Sequence, residues 1–380
     1  SFQGFWLEWW KLWPVFTLPQ CSNMSLYLVS IWPLYSCGLK AFLVGKSVDL
    51  KTFSAKDGLW VAFVVILAIL PLIPAFSSNS FRLHVMILIL LYASMAQAWN
   101  IIGGYCGQVS FGHSVFFGIG AYGAGMAVVT YGATPWPGII VGMIMAAIVA
   151  VIISYPCFKL SGHYFAIATF AIVEIFHRGF LVWDCVGGAL GLDYPIIKEG
   201  LVNLMWHQSK TGYYYSALVI FVIIFGTVRW LEGHRFGYYM RAVREGQETA
   251  ESLGVNSAAV KLTAMALSAA MAALCGAFFA QYNLRVDPPM VMSLDTSMKF
   301  VLITILGGAG TMLGPLLGAS VLIPLQEYTR AFWGGLGGGV DLIIFGVLII
   351  LMVVKQPDGM IGLIRDVGKW ASNKRAEERN

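Results

Sequence analysis

Apolar runs of 19 to 23 residues recur along this chain, and no other feature restricts its fold so tightly. At 1.5 Å per residue, such a run crosses the ~30 Å hydrocarbon core of a bilayer as one α-helix. Candidate spans fall at 58–76, 81–102, 109–130, 136–158, 162–180, 213–231, 261–283 and 338–354. Composition agrees: 58% of the 380 residues are hydrophobic and 11% are charged, where a globular domain carries ~25% charged residues. So much apolar surface has no place in a water-soluble monomer. Alternating ten-residue strands, the pattern of an outer-membrane barrel, are lacking. The expected class is an all-α polytopic membrane protein with about 8–10 transmembrane helices.

Charge placement sets the orientation. Lys46, Lys51 and Lys56 mark one cytoplasmic loop, Arg235, Arg241 and Arg244 a second, and Lys369, Lys374, Arg375 and Arg379 a basic tail over 366–380. Six spans separate the first patch from the second, and 182–212 falls outside. The net charge of +5 therefore reads as topology and not as nucleic-acid binding. Residues 1–57 hold Trp6, Trp9, Trp10 and Trp13 before an apolar piece at 24–45 that Pro33 and Lys40 interrupt. That suits an interfacial segment, with or without one crossing. No cleavable signal peptide is expected there, and a first residue of Ser leaves the true start open.

Glycine breaks two of the apolar segments. GGYCGQVSFGH (103–113) places four glycines in ten residues, which disfavours continuous helix. LGGAGTMLGP (306–315) divides the run 297–328, which must cross an even number of times because both flanks are cytoplasmic. Two short helices meeting at that break satisfy the count. Unwound backbone inside a bilayer is tolerated where it is buried in protein or lines a polar cavity. One break in each half suggests internal repeats around a pathway, although only glycine spacing carries that likeness. Gly118, Gly120, Gly123 and Gly125 are read instead as close helix-packing positions.

The stretch 229–261 is the polar exception. Its centre, 239–254, carries Arg241, Arg244, Glu245, Glu248 and Glu251 at helical spacing, with Val243 and Leu253 as apolar points and Gly254 as the stop. An ordered amphipathic helix between two spans suits docking better than it suits a solvated connector.

Other chemistry is thin. Gly45-Lys46-Ser47 lacks the first glycine of a phosphate loop, since position 40 is Lys40. Cysteines at 21, 37, 106, 157, 185 and 275 show no metal-ligand spacing and are read as packing residues, so no metal and no cofactor is expected. Ser110 with His113, and Glu174 with His177 and Arg178, do not converge into a nucleophile, base and orienting acid. Glu174 and Arg178 suit an i, i+4 ion pair. Lys299 suits snorkelling to the outer interface, with a polar contact along the pathway as the alternative. His113 is read as a hydrogen-bonded residue at the helix break.

Glu248-Thr249-Ala250-x-x-x-Gly254 resembles the EAA-x-x-x-G loop of ABC importer permeases. With GYCGQVSFGHSVFFGIGAYGAG (104–125), KLSGHYFAIATFAIVEI (159–175), LGGAGTMLGPLLGA (306–319) and FGVLIILMVVKQPDGMIGL (345–363), the chain resembles the branched-chain amino acid ABC permease family, in its LivM-type subunit. The resemblance covers about 80 to 365. It implies an ABC importer permease fold over 58–365, with a coupling loop at 232–260. It also implies two cytoplasmic ATP-binding subunits, a homologous second permease and an extracytoplasmic solute-binding protein as partners, in the inner membrane of a bacterium or archaeon. On that basis Glu248, Ala250 and Gly254 would enter the ATPase cleft together with Arg241, Arg244 and Glu245. Gly104, Gly107, Gln108, Ser110, Gly112 and His113 would lie beside the pathway, with Gly307, Gly308, Gly310 and Gly314 as counterparts. No Leu-Pro pair follows Gly254, and Lys299 stands where an acidic residue is common, so the motifs leave the cargo open between branched-chain amino acids and a related amide, urea or carboxylate. The competing classes are a stand-alone channel or carrier, for which the polar loop is only a hinge, and a membrane-embedded enzyme using His113 or His163.

Overall fold

The computed structural model describes residues 55–73 and 79–333, apart from 161, 197–198 and 207–208, with short pieces between 343 and 362. The tryptophan-rich start, the 24–45 piece, most of the 338–354 span and the basic tail lie outside the described residues. In chain order the helices are α1 (Ala55–Ile69), α2 (Ser80–Asn100), α3 (His113–Val129), α4 (Pro135–Cys157), α5 (His163–Val182) and α6 (Thr211–Gly233). They continue with α7 (Arg235–Glu245), α8 (Gln247–Ser252), α9 (Ser257–Asn283), α10 (Pro288–Val291), α11 (Leu294–Gly307) and α12 (Gly314–Trp333). Six of the described helical segments are long and apolar enough to cross a bilayer, and α1 and α3 are shorter apolar helices. A two-residue ribbon, β1 (Leu192–Asp193) against β2 (Arg285–Val286), ties the 183–210 connection to the end of α9.

Side chains that satisfy orphaned amides set several helix starts. Asn79 accepts from the amides of Phe81 and Arg82, Asn256 from Ala259, and Ser293 from Thr296. The centre of the bundle is then built on small residues. A Cβ on Gly276 would stand 1.8 Å from the carbonyl oxygen of Phe117, and one on Gly120 would stand 2.0 Å from that of Ala273. Gly123 and Gly138 bring α3 and α4 equally close. Backbone therefore touches backbone where α3, α4 and α9 meet, as expected for apolar helices that gain nothing from burying oil in oil. The packing reading holds for Gly120 and Gly123, whereas Gly118 lies under the Met292 side chain and Gly125 under Leu192 and Tyr194; α9 at the centre is buried over 83% of its most apolar window.

Both glycine-rich breaks are present. In the first, α2 loosens into a π-helical turn, Ile101–Tyr105, and the chain then runs irregularly until α3 begins at His113. The expected span 109–130 is thereby shortened to a 17-residue helix, because Gly107 sits at φ +71° and turns the chain where a continued helix would need α geometry. In the second, α11 ends at Gly307, the chain turns through 308–313, and α12 starts at Gly314. Gly307 packs on the Gly314 carbonyl and Gly318 on that of Ile303, so α11 and α12 form an antiparallel helical hairpin.

The polar loop departs from expectation in one respect. The single helix anticipated over 239–254 is two helices, α7 and α8, separated at Gly246, which is extended at φ 178° and ψ 115°. Glycine, with its low helix propensity, accommodates a break in the charged run at this position. Gly254 does close α8, in a left-handed conformation at φ +84°.

Candidate functional site

The two breaks meet. Asn100, the last residue of α2, accepts from the Gly310 amide at 2.8 Å and donates to the Thr311 carbonyl at 2.9 Å. One amide side chain thus reads both backbone polarities of a turn 210 residues away. Gly104 lies against Gly310, where a Cβ would be 2.3 Å from the Gly310 nitrogen. Thr311 tightens the turn by donating to the Gly308 carbonyl at 2.6 Å.

The polar loop closes the same junction. Arg244 of α7 donates from Nη1 to the Gly104 carbonyl at 2.8 Å, while its Cγ passes within 3.0 Å of where a Cβ of Gly107 would stand. Arg241 approaches Glu232 at 3.5 Å and lies over the Tyr105 ring at 5.8 Å, and Tyr105 donates to Glu232 at 2.7 Å. From α9, buried Lys261 donates to Gln247 of α8 at 2.6 Å. The loop is therefore fastened to the first break by its two arginines. Its other face is open: Glu245 and Glu248 are exposed, Tyr238 is 61% and Leu253 is 80% exposed, whereas Val243 and Ala250 are buried. Ser257 donates to Glu251 and, with Gln247, holds its carboxyl below the usual carboxylate range. A lowered value means that this tie is present at neutral pH and weakens as pH falls through the group's own pKa.

Further along the first break lies a polar seam at depth. His113 Nε2 pairs with Ser268 at 2.7 Å, and Ser268 donates to the Ala98 carbonyl at 2.6 Å. Ser268 stands about 16 Å along α9 from its start, so α3 begins well inside the bundle. The amides that a helix start leaves orphaned are taken by hydroxyls from three directions. Thr169 of α5 accepts from Phe111, Ser110 from Gly112, and Ser297 of α11 from Ser114. Trp99 donates to the Ser110 carbonyl at 2.6 Å. Gly107 and Val109 are exposed, so this segment has an open flank. The Nδ1 of His113 and the Nε2 of Gln97 are buried without a hydrogen-bond partner.

Not every expected residue joins this cluster. Glu174 and Arg178 form an i, i+4 ion pair at 2.5 Å on α5, with side chains 43% and 76% exposed. They do so apart from the seam, on a helix whose described core is Phe165, Thr169 and Val173. Lys299 is half-buried within the first turns of α11. Gln108 gives its amide to the Ile102 carbonyl at 3.0 Å, continuing the end of α2. Among the described residues, no group of three or more His, Cys, Asp or Glu side chains could hold a metal ion. Sequence reading passed over Asn100, Tyr105, Glu232 and Lys261. The available signal was modest: Gln97 and Asn100 at i, i+3 beside a glycine pair, and a lysine opening an apolar run.

The architecture is that of a multi-pass α-helical membrane protein, with two glycine turns joined at one end of the bundle and a polar loop bolted to them. Residues 81–353 match the family described as "Branched-chain amino acid transport system / permease component", and the chain belongs to that family. It is 26% identical over 88% of its length to the high-affinity branched-chain amino acid transport system permease protein LivM of Escherichia coli, 82% of which is covered. It is 24% identical over 59% of its length to a probable LivM permease of Methanocaldococcus jannaschii, 67% of which is covered. To the LivH permease of Salmonella typhimurium it is 23% identical, over 71% of this chain and 91% of that one. No solved structure matches.

Proposed function

We propose that this chain is the transmembrane permease subunit of an ATP-driven, binding-protein-dependent importer in the cytoplasmic membrane of a bacterium or archaeon. Its cargo is a branched-chain amino acid or a related small polar solute. It works with two cytoplasmic ATP-binding subunits, a homologous second permease and an extracytoplasmic solute-binding protein. The observation that carries this reading is the two-faced polar loop. Arg241 and Arg244 tie it inward to the first break and Lys261 ties it to α9, while Glu245, Glu248 and Leu253 are exposed among the described residues. An exposed apolar tip beside two carboxylates suits insertion into the cleft of a soluble partner. Ala250, buried beneath that face, and Gly254, which turns the chain back into α9, give α8 its shape. Motor closure would move α7 and α8 and bias the spans between two states.

On this reading the irregular segment with Gly104, Gly107, Gln108, Ser110, Gly112 and His113 flanks the pathway. Gly307, Gly308, Gly310 and Gly314 form the turn that opposes it. The names of the relatives support the cargo class. The test is purification of the tagged chain from native membranes in mild detergent. Two ATPase chains, a second permease and ATP-dependent uptake in proteoliposomes are expected. Recovery of this chain alone, with solute flux from the pure protein, would replace the motor-driven reading with a channel or carrier. Leu253→Asp combined with Glu248→Arg should strip the ATPases from the complex and leave the permease folded.

A further inference from the structure

Two helices, α2 and α11, run parallel side by side, with Tyr92 against Phe300 and Ala96 against Thr304, and so bring their C-termini to the same place. Each carries unpaired carbonyls and a partial negative charge at that end. Like ends brought together repel. A donor that serves both is needed. The Asn100 amide supplies one by reaching the Thr311 carbonyl. Among the described residues, the full charge seen between the ends is the guanidinium of Arg244, which donates to the Gly104 carbonyl at 2.8 Å. It crosses Gly310 so closely that a Cβ there would lie 2.2 Å from Nη1. Its stem lies on Gly107, within 3.0 Å of a Cβ position, so glycines at 107 and 310 leave the groove in which the side chain runs. Its partner is a backbone carbonyl and not a carboxylate, which is how a cation caps a helix C-terminus.

We infer that Arg244 is a positioning residue. It staples the glycine turn at the end of α2 to the glycine turn between α11 and α12, and it carries movement of the polar loop into both. The inference rests on the importer reading for its purpose, and on the geometry alone for the staple. Withdrawal of α7 pulls the cation out, leaving two helix C-termini apposed, and the turns part. Arg244 faces outward as well, so the contrary role is a direct contact with the ATPase.

The experiment compares the parental complex with Arg244→Ala, Arg244→Gln and Arg244→Lys in lipid nanodiscs, reading amide hydrogen exchange and the uptake-to-hydrolysis ratio. In Arg244→Ala, exchange should rise at least tenfold in both 101–112 and 307–314, with ATPase stoichiometry unchanged and uptake per ATP reduced at least fivefold. Arg244→Lys keeps the charge but not the reach and should fall between; if the alanine variant does not fold, Gln against Lys supplies the same comparison. Exchange that is unchanged, or raised at only one turn, overturns the staple. So does loss of the ATPases with unchanged exchange, which would make Arg244 a docking contact. Absence of ATPases from the parental complex would overturn the importer reading while leaving the exchange comparison intact.

Discussion

Asn100 shows how one side chain can fix the meeting of two segments that the sequence keeps 210 residues apart. Its amide accepts from Gly310 and donates to Thr311, and it is fully buried. Removing it leaves a backbone amide and a carbonyl unmatched, each a penalty of about 1–3 kcal/mol. Asn100→Ala is therefore expected to lower stability by about 2–6 kcal/mol, measured as a fall in the thermal midpoint of the purified protein. Asn100→Asp keeps an acceptor for Gly310 and loses the donor to Thr311, so it should fall between. A midpoint unchanged in both variants would mean that the turns do not depend on this residue. Gly254 poses a simpler case. It has φ +84° with open space around its Cβ position, so Gly254→Ala meets backbone strain alone and should cost about 1–2 kcal/mol.

Elements were legible in proportion to how local their causes are. The spans followed from length and apolarity. The breaks followed from glycine, whose effect on the helix is felt where it stands. Where the sequence pattern failed, a tertiary cause was at work. The 239–254 pattern has helical spacing throughout, yet α7 and α8 divide at Gly246 because α7 is held by Glu232, Gly104 and Tyr105 while α8 is held by Lys261. Charge pattern alone cannot reveal that two halves of an amphipathic run are tied to different parts of a bundle. The inward turn of Arg241 and Arg244 was hidden for the same reason, since helical spacing groups residues by face without saying which face meets the protein. At this scale, Gly246→Ala tests whether the tethers or the glycine hold the division. Its extended backbone suits any residue, and a Cβ meets Thr249 Oγ1 at 3.2 Å. Helix propensity shifts by about 1 kcal/mol, too little to break four tethers. Transport should be retained within about twofold, and a loss beyond tenfold would assign the glycine itself a role.

For the molecule as a whole, the two ends differ in kind. One carries the glycine turns and the charged loop; the other carries the ribbon, with exposed Trp183, Leu190 and Ile196 on the 183–210 connection. In a cysteine-free background, single cysteines placed at Gln247 and at Leu190 should react with a membrane-impermeant maleimide from opposite sides of sealed vesicles. Labelling of both from one side would refute the topology. Between these ends the helices are unequally held. Only 17% of the apolar window of α5 is buried inside the chain, against 83% for α9. Where α3, α4 and α9 cross, by contrast, the contact at Gly276, Gly120 and Gly123 is main chain on main chain. No rotamer exists there that could take up a displacement, so sliding would require the helices first to separate. On the proposed importer reading, those three helices are expected to act as a stator. Whatever travels during a cycle must be carried by the parts hung around them, with the fixed block as the reference against which the motion is made.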